Sequence, residues 1–174
     1  MAAAAAEATT DGGAKMIILI SADGKRFEVT EAVASQSQLI SNMIEDDCTE
    51  NGVRLPNVDG DILTMVVDYC NMHVGNGANA GDDTVKGSSS AEEELKKFDA
   101  ELVQTLENPV LFKLILAANF LNIKSLLDMT CQRVADMMSG KTPEQMRETF
   151  SIENDFTPEE EAAIRQENSW AFDD

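Results

Sequence analysis

Basic residues are scarce in this chain. Thirteen Lys and Arg stand against 32 Asp and Glu, a formal net charge of −19. Nucleic acid and anionic membrane surfaces both require concentrated Lys and Arg, so neither is an expected partner. Basic protein surfaces remain compatible. Histidine occurs once, at His73, which excludes a His-rich metal site, and no Cys or carboxylate grouping has ligand spacing. The three cysteines, Cys48, Cys70 and Cys131, are odd in number and widely spaced. They fit free thiols in a reducing compartment, the nucleus and cytoplasm. No apolar run reaches the ~18–20 residues that span a bilayer. The opening MAAAAAEATTDGGAK has no basic stretch ahead of a long apolar core, so it reads as a disordered leader over residues 1–15 and not as a signal peptide. Catalytic signatures are missing too: no Gly-x-Ser-x-Gly, P-loop, Cys-x-x-Cys or His-Glu-x-x-His. Cys70 and His73 lie three apart, but both fall on the apolar face of a predicted helix, where thiols pack and do not react. The sequence therefore offers no catalytic residue, no cofactor site and no metal site.

What is present begins with two β-prone runs, Met16–Ile20 and Lys25–Val29, joined by Asp23-Gly24, which is a hairpin signal. Thr30 caps a short helix carrying Val33. Ser35 or Ser37 caps the next, with Leu39, Ile40, Met43 and Ile44 at helical spacing. A polar loop leads to a short strand, Val53–Leu55. Asp59 caps a helix with Ile62, Met65, Val66, Tyr69, Cys70 and His73 on one face. Residues 75–91 are rich in Gly, Asn, Asp and Ser without periodicity and read as a disordered insertion. Its GNG is followed by no helix and no phosphate-binding Lys, so it is not a nucleotide loop. Helical spacing resumes from Glu92 to Leu106 with Leu95, Phe98, Leu102 and Leu106. Asn108-Pro109 then opens VLFKLILAANF, apolar almost all round and so expected to be a buried central helix. Ile123 to Met138 forms another helix, closed by Gly140. A small sheet with a dominant helical part makes the fold class α+β.

The last third has a different character. Thr142-Pro143-Glu144-Gln145 and Thr157-Pro158-Glu159-Glu160 both read as N-cap, N1, N2 and N3 of a helix. Thr accepts the N3 N–H, Pro loses no bond at N1, and Gln145 or Glu160 reaches back to the cap. The helices so specified have little core. They offer Met146, Phe150, Ile164 and, between and after them, Ile152, Phe156, Trp170 and Phe172. Two short helices with one thin apolar stripe each do not order themselves by burial, so this segment is a candidate docking surface.

Residues 108–172, from LFKLILAANF to TPEQMRETFSIENDFTPEEEAAIRQENSWAF, resemble the Skp-type adaptors of SCF cullin–RING ubiquitin ligases. SADGKRFEV, the Leu39–Asp47 helix, VRLPNV and the Asp59–Val74 helix agree with that resemblance. The closing SWAF and Ala-rich leader look like plant members. The resemblance implies a BTB/POZ-like domain over residues 16–138 that binds the N-terminal domain of a cullin, and through it a RING subunit indirectly. It implies F-box-binding helices over residues 139–174. The protein would then bridge a cullin to F-box substrate receptors, supporting ubiquitination and proteasomal degradation without chemistry of its own. The F-box surface carries over to Leu127, Cys131, Val134, Met138, Met146, Phe150, Ile152, Asn154, Phe156, Ile164, Asn168 and Trp170. The cullin contact carries over to Asn119 and Phe120, with Met43 and Ile44 either adding to it or buried inside the domain. The family has Tyr where Phe120 stands, and commonly Asp where Asn122 stands. The missing phenolic hydroxyl removes one hydrogen bond, about 0.5–1.5 kcal/mol, while the apolar ring contact survives. Phe98 takes the place of a Trp usual in the family. The alternative is a divergent BTB-like scaffold that self-associates without a cullin role.

Overall fold

The computed structural model describes residues 15–74 and 89–171. The leader and most of the expected insertion, residues 1–14 and 75–88, lie outside the described residues, as does Phe172. The chain divides into two compact units, Met1–Arg133 and Val134–Asp174.

In the first unit, β1 (Met16–Ser21) pairs antiparallel with β2 (Arg26–Thr30), Leu19 opposite Phe27. Gly24 takes φ +80° in the connecting turn, as Asp-Gly predicts. β1 also pairs in parallel with β3 (Val53–Leu55), giving sheet order β2-β1-β3. That parallel partner is a long-range contact which no local signal announced. Ile17, Leu19 and Ser21 alternate as the buried side of β1. The Ser21 hydroxyl is not stranded there: it donates to Asp23 Oδ1 at 2.5 Å and accepts the Lys25 N–H at 3.1 Å.

Thr30 caps α1 (Glu31–Ala34), accepting the Val33 N–H. Ser37, not Ser35, caps α2 (Gln38–Glu45), and Ser35 closes α1 instead. Ser37 is buried because its hydroxyl also donates to the Leu121 carbonyl at 2.5 Å, tying α2 to the end of α5 (Asn108–Leu121). α3 (Gly60–His73) buries Ile62, Val66, Tyr69 and Cys70 as the spacing predicts, and Leu63 besides. Asp59 occupies the N-cap position but makes no side-chain cap; its carboxylate accepts from Lys113 Nζ at 2.9 Å. The Gly60 N–H is satisfied by Asp23 Oδ1 at 2.9 Å, a donor–acceptor pair 37 residues apart. α4 (Ser89–Gln104) starts within the segment expected as insertion, three residues ahead of Glu92. It buries Val103, which the predicted face had omitted.

The helix expected to be buried on every side, α5, is not. Leu111, Leu114, Ala117, Ala118 and Leu121 are buried, but Phe112 and Leu116 are exposed. A three-stranded sheet and its helices cover only part of the circumference of an all-apolar helix. Its N-cap is Glu107 and not Asn108, and Asn122 closes it in the left-handed conformation, φ +52°. α6 (Lys124–Met138) buries Leu126 and Thr130; the Thr130 hydroxyl donates to the Leu126 carbonyl at 2.8 Å, so it leaves no orphan group. Gly140 follows at φ +69°.

The second unit contains α7 (Pro143–Phe150) and α8 (Pro158–Glu167), followed by a 3-10 turn, Ser169–Ala171. Both expected capping boxes are formed. Thr142 N–H donates to Gln145 Oε1 at 2.9 Å, and Thr157 N–H to Glu160 Oε2 at 2.9 Å. Neither helix has a buried residue.

Candidate functional site

Ion pairs link the two helices of the second unit, neither of which has a buried residue. Arg147 pairs with Glu161 at 3.5 Å, and Arg165 pairs with both Glu161, at 3.5 Å, and Glu144. Arg147–Glu161 and Arg165–Glu144 bridge α7 and α8, and Arg165–Glu161 lies within α8. Pro143, Arg147, Phe156, Glu161, Ile164 and Arg165 line a shallow pocket of about 60 Å³, so the ion pairs share one depression with two apolar side chains. Phe156 and Ile164 are both exposed in it, as are Ile152 and Met138 elsewhere in the unit; Trp170 is 76% exposed. Every residue from 151 to 160 is exposed. Asn154 is not a free amide, since its Oδ1 accepts the Phe156 N–H at 3.2 Å and shapes the approach to α8. Asn168 donates its side-chain N–H to the Ile164 carbonyl at 2.9 Å. Met146, Phe150 and Val134 are half-buried.

On α6, Leu127, Cys131, Val134 and Met138 recur at helical spacing. Leu127 is half-buried against the core of the first unit, whereas Cys131 and Met138 are exposed. In the first unit, Asn119 is exposed and Phe120 half-buried against the core. Met43 and Ile44 are likewise partly buried there, so packing accounts for much of their apolar surface. Phe112 and Leu116 escaped the sequence reading, which assigned them to a core. They precede Asn119 at i−7 and i−3 on α5, and so share its side of the helix. Leu116 also borders an open pocket of about 140 Å³ with Asn57, Val58, Asp59, Ile62 and Lys113. The available signal was a helix apolar all round in a chain with too little sheet to surround it.

The amino-terminal part matches the description Skp1 family, tetramerisation domain, over residues 15–75. Residues 124–171 match Skp1 family, dimerisation domain. The chain belongs to the Skp1 family. It is 58% identical to SKP1-like protein 4 of Arabidopsis thaliana over 159 residues, 91% of this chain and 97% of that protein. It is 55% identical to SKP1-like protein 1A of Arabidopsis thaliana, over 92% of this chain and 99% of that protein. It is 54% identical to SKP1-like protein 20 of Oryza sativa subsp. japonica, over 97% of this chain and 99% of that protein. The α+β fold thus contains, over residues 15–75, the BTB/POZ-like part of a plant Skp1-family protein.

Skp1-family proteins are non-catalytic adaptors of SCF ubiquitin ligases, working with F-box proteins and cullins, and this chain is one of them. The single Cys–His pair in the sequence agrees with that role. Burial pushes the Cys70 thiol up to about 12, far from a reactive thiolate. His73 is occupied structurally: its ring stacks on Tyr69 at 3.9 Å, its Nδ1 lies 2.9 Å from the Tyr69 carbonyl, and its Nε2 lies 3.4 Å from Asp99. Burial raises the Asp99 carboxyl, and the nearby His73 partly offsets this. This arrangement ties α3 to α4. Among the described residues no helix is long and apolar enough to cross a membrane.

Proposed function

We propose that the adaptor's two partners engage separate sets of residues. The F-box receptor docks on Leu127, Cys131, Val134 and Met138 of α6 together with Met146, Phe150, Ile152, Asn154, Phe156, Ile164, Asn168 and Trp170. The cullin docks on Asn119 and Phe120 of α5, with Met43 and Ile44 contributing from α2. The observation that carries the first assignment is that Ile164 on α8, Ile152 and Phe156 in the linker before it and Trp170 in the turn after it are all exposed, while both helices have complete capping boxes and no buried residue. Helices that form by local signals but leave large apolar side chains in water are suited to a helix-in-groove partner. Nine methionines in the chain, Met138 and Met146 among them on this surface, suit a groove that repacks around related receptors. Phe112 and Leu116 extend the apolar side of α5 toward Asn119. The protein acts in the nucleus and cytoplasm, where Cys48, Cys70 and Cys131 stay reduced, as their unpaired state fits.

Two variants test the division. Phe156→Ser with Ile164→Ser should abolish capture of an F-box module and leave cullin binding intact. Asn119→Ala should weaken a plant cullin N-terminal domain and leave the F-box module bound. Parallel loss of both partners in either variant would refute separate surfaces.

A further inference from the structure

The only histidine of the chain sits between α3 and α4 with an acceptor at each ring nitrogen. His73 Nδ1 lies 2.9 Å from the Tyr69 carbonyl oxygen, and Nε2 lies 3.4 Å from Asp99 Oδ1. Stacking on Tyr69 at 3.9 Å holds the ring in that plane. Asp99 Oδ1 is buried and has no hydrogen-bond partner. A neutral imidazole carries a single N–H. Placed on Nδ1, it serves Tyr69 and leaves the Nε2 lone pair against the carboxylate. Placed on Nε2, it serves Asp99 and leaves the Nδ1 lone pair against the carbonyl. One further proton resolves the conflict. It sits either on the ring, as an imidazolium facing a carboxylate, or on Asp99, as a carboxylic acid donating to Nε2.

We propose that His73 and Asp99 form a one-proton clasp between α3 and α4, closed while the pair holds that proton and opened when it leaves. Near neutral pH an unfolded chain carries a neutral imidazole and an ionised carboxylate. The closed clasp binds one proton more, so it tightens as pH falls toward about 6 and loosens as pH rises toward about 8. Burial raises the Asp99 carboxyl, which acts in the same direction. The other titratable groups at the ring are Tyr69 and Cys70 of α3, with Tyr69 also bonded to Ser125 of α6. Burial raises the Tyr69 phenol, and raises the Cys70 thiol to about 12, so neither releases a proton in this range. Asp68 of α3, Lys96, Lys97 and Glu101 of α4, and Lys124 and Asp128 of α6 are exposed to solvent. The first half of α4 depends most on the clasp. Glu93, Glu94, Lys96 and Lys97 are exposed there and Leu95 is half-buried, whereas in the second half Phe98 and Leu102 pack on the core and Val103 is buried.

The test uses the full chain and the variant Asp99→Asn. Because the chain has one histidine, its two ring nitrogens give unambiguous NMR signals. At about pH 7 the unmodified chain should show Nδ1 protonated, with the further proton on Nε2 or on the Asp99 carboxyl. A neutral ring beside an ionised Asp99 at that pH would overturn the clasp, and this measurement needs no substitution. Amide exchange then reads the consequence. Protection at the start of α4, taken relative to α5 in the same sample, should fall roughly 3- to 10-fold between about pH 6 and about pH 8. In Asp99→Asn the side-chain amide can donate to Nε2 while Nδ1–H serves Tyr69, so a neutral ring is satisfied. Protection in that variant should stay high and flat over the same range. Flat protection in the unmodified chain would overturn the proposal. So would an equal fall in both chains, since the loosening would then owe nothing to the Asp99 carboxyl.

Discussion

Replacing Trp170 with alanine separates the folding of the second unit from its docking. Trp170 lies in the turn Ser169–Ala171 and leaves 76% of its surface in water. Burying an aromatic side chain of this size removes about 150–250 Å² from solvent. With three-quarters of it exposed, a partner can still cover roughly 110–190 Å². At ~25 cal/mol per Å² the gross gain is about 3–5 kcal/mol. Immobilising the side chain and desolvating the indole N–H take back about 1–2 kcal/mol. Loss of the remainder, about 2–3 kcal/mol, is roughly a 30- to 150-fold rise in Kd. The free chain should hardly respond, because surface substitutions change stability by about 0.5 kcal/mol or less. The assay is calorimetric titration of an F-box module into Trp170→Ala, into Glu167→Ala and into the unmodified chain, with thermal unfolding of each alone. Glu167 is exposed in the last turn of α8 and should cost less than about 1 kcal/mol. Equal losses for the two variants would refute the reasoning. So would a fall of several degrees in the Trp170→Ala midpoint with affinity intact, since Trp170 would then be core.

Ser37→Ala removes both the α2 cap and the bond to the Leu121 carbonyl, so chemical denaturation should show a loss of about 1–3 kcal/mol; an unchanged midpoint would show that solvent replaces these bonds freely. Gly60→Ala places a Cβ 2.4 Å from Lys25 Cδ and 2.8 Å from Asp23 Oδ1, displacing the carboxylate that accepts the Gly60 N–H. It should cost about 1–3 kcal/mol, and combining it with Asp23→Ala should cost less than the sum. The Thr157 backbone N–H, then its hydroxyl, holds the Glu160 carboxyl below its ordinary 4.5. A depressed folded-state value means that the capping contribution is fully present above pH 4.5 and is lost as pH falls through the lowered value. Amide exchange at the start of α8 should therefore quicken on acidification below pH 4.5, and Glu160→Gln should flatten that dependence.

The parts of the fold legible in the sequence are those set by neighbours along the chain. Asp23-Gly24 specified the hairpin, Thr30 one helix start and the Ser35/Ser37 pair the next without choosing between them, and the two Thr-Pro-Glu boxes their helices, because each signal is satisfied within four residues. Failures came where a distant group competed. Asp59 stands where a cap belongs, but Lys113 takes its carboxylate and Asp23 supplies the missing acceptor to Gly60. The parallel pairing of β1 with β3 depends on residues more than thirty positions apart. α5 misled in the other direction: its composition shows that it is apolar, but only the arrangement of the other elements decides which side is left uncovered. The exposure of Ile152, Phe156, Ile164 and Trp170 was readable for the same reason as the caps, since a short stripe without a core is a local deficit. The charge network of Arg147 and Arg165 was not, because it joins residues 14 and 21 apart.

That network explains how a unit with no buried side chain among its described residues can present a defined surface. Exposed ion pairs add little stability singly, about 0–1 kcal/mol, but here one arginine bridges two carboxylates and a second shares one of them. With both helices capped locally, the pairs need only fix the angle between α7 and α8 and need not drive either helix to form. They also occupy the pocket that Phe156 and Ile164 border, so the side chains holding the helices are those a partner must pack beside. Replacing the pairs with an apolar contact would consume the surface that docking requires. An adaptor that must stay soluble at −19 while keeping Ile152, Phe156, Ile164 and Trp170 in water can use polar cohesion inside this unit and reserve apolar contact for its receptor.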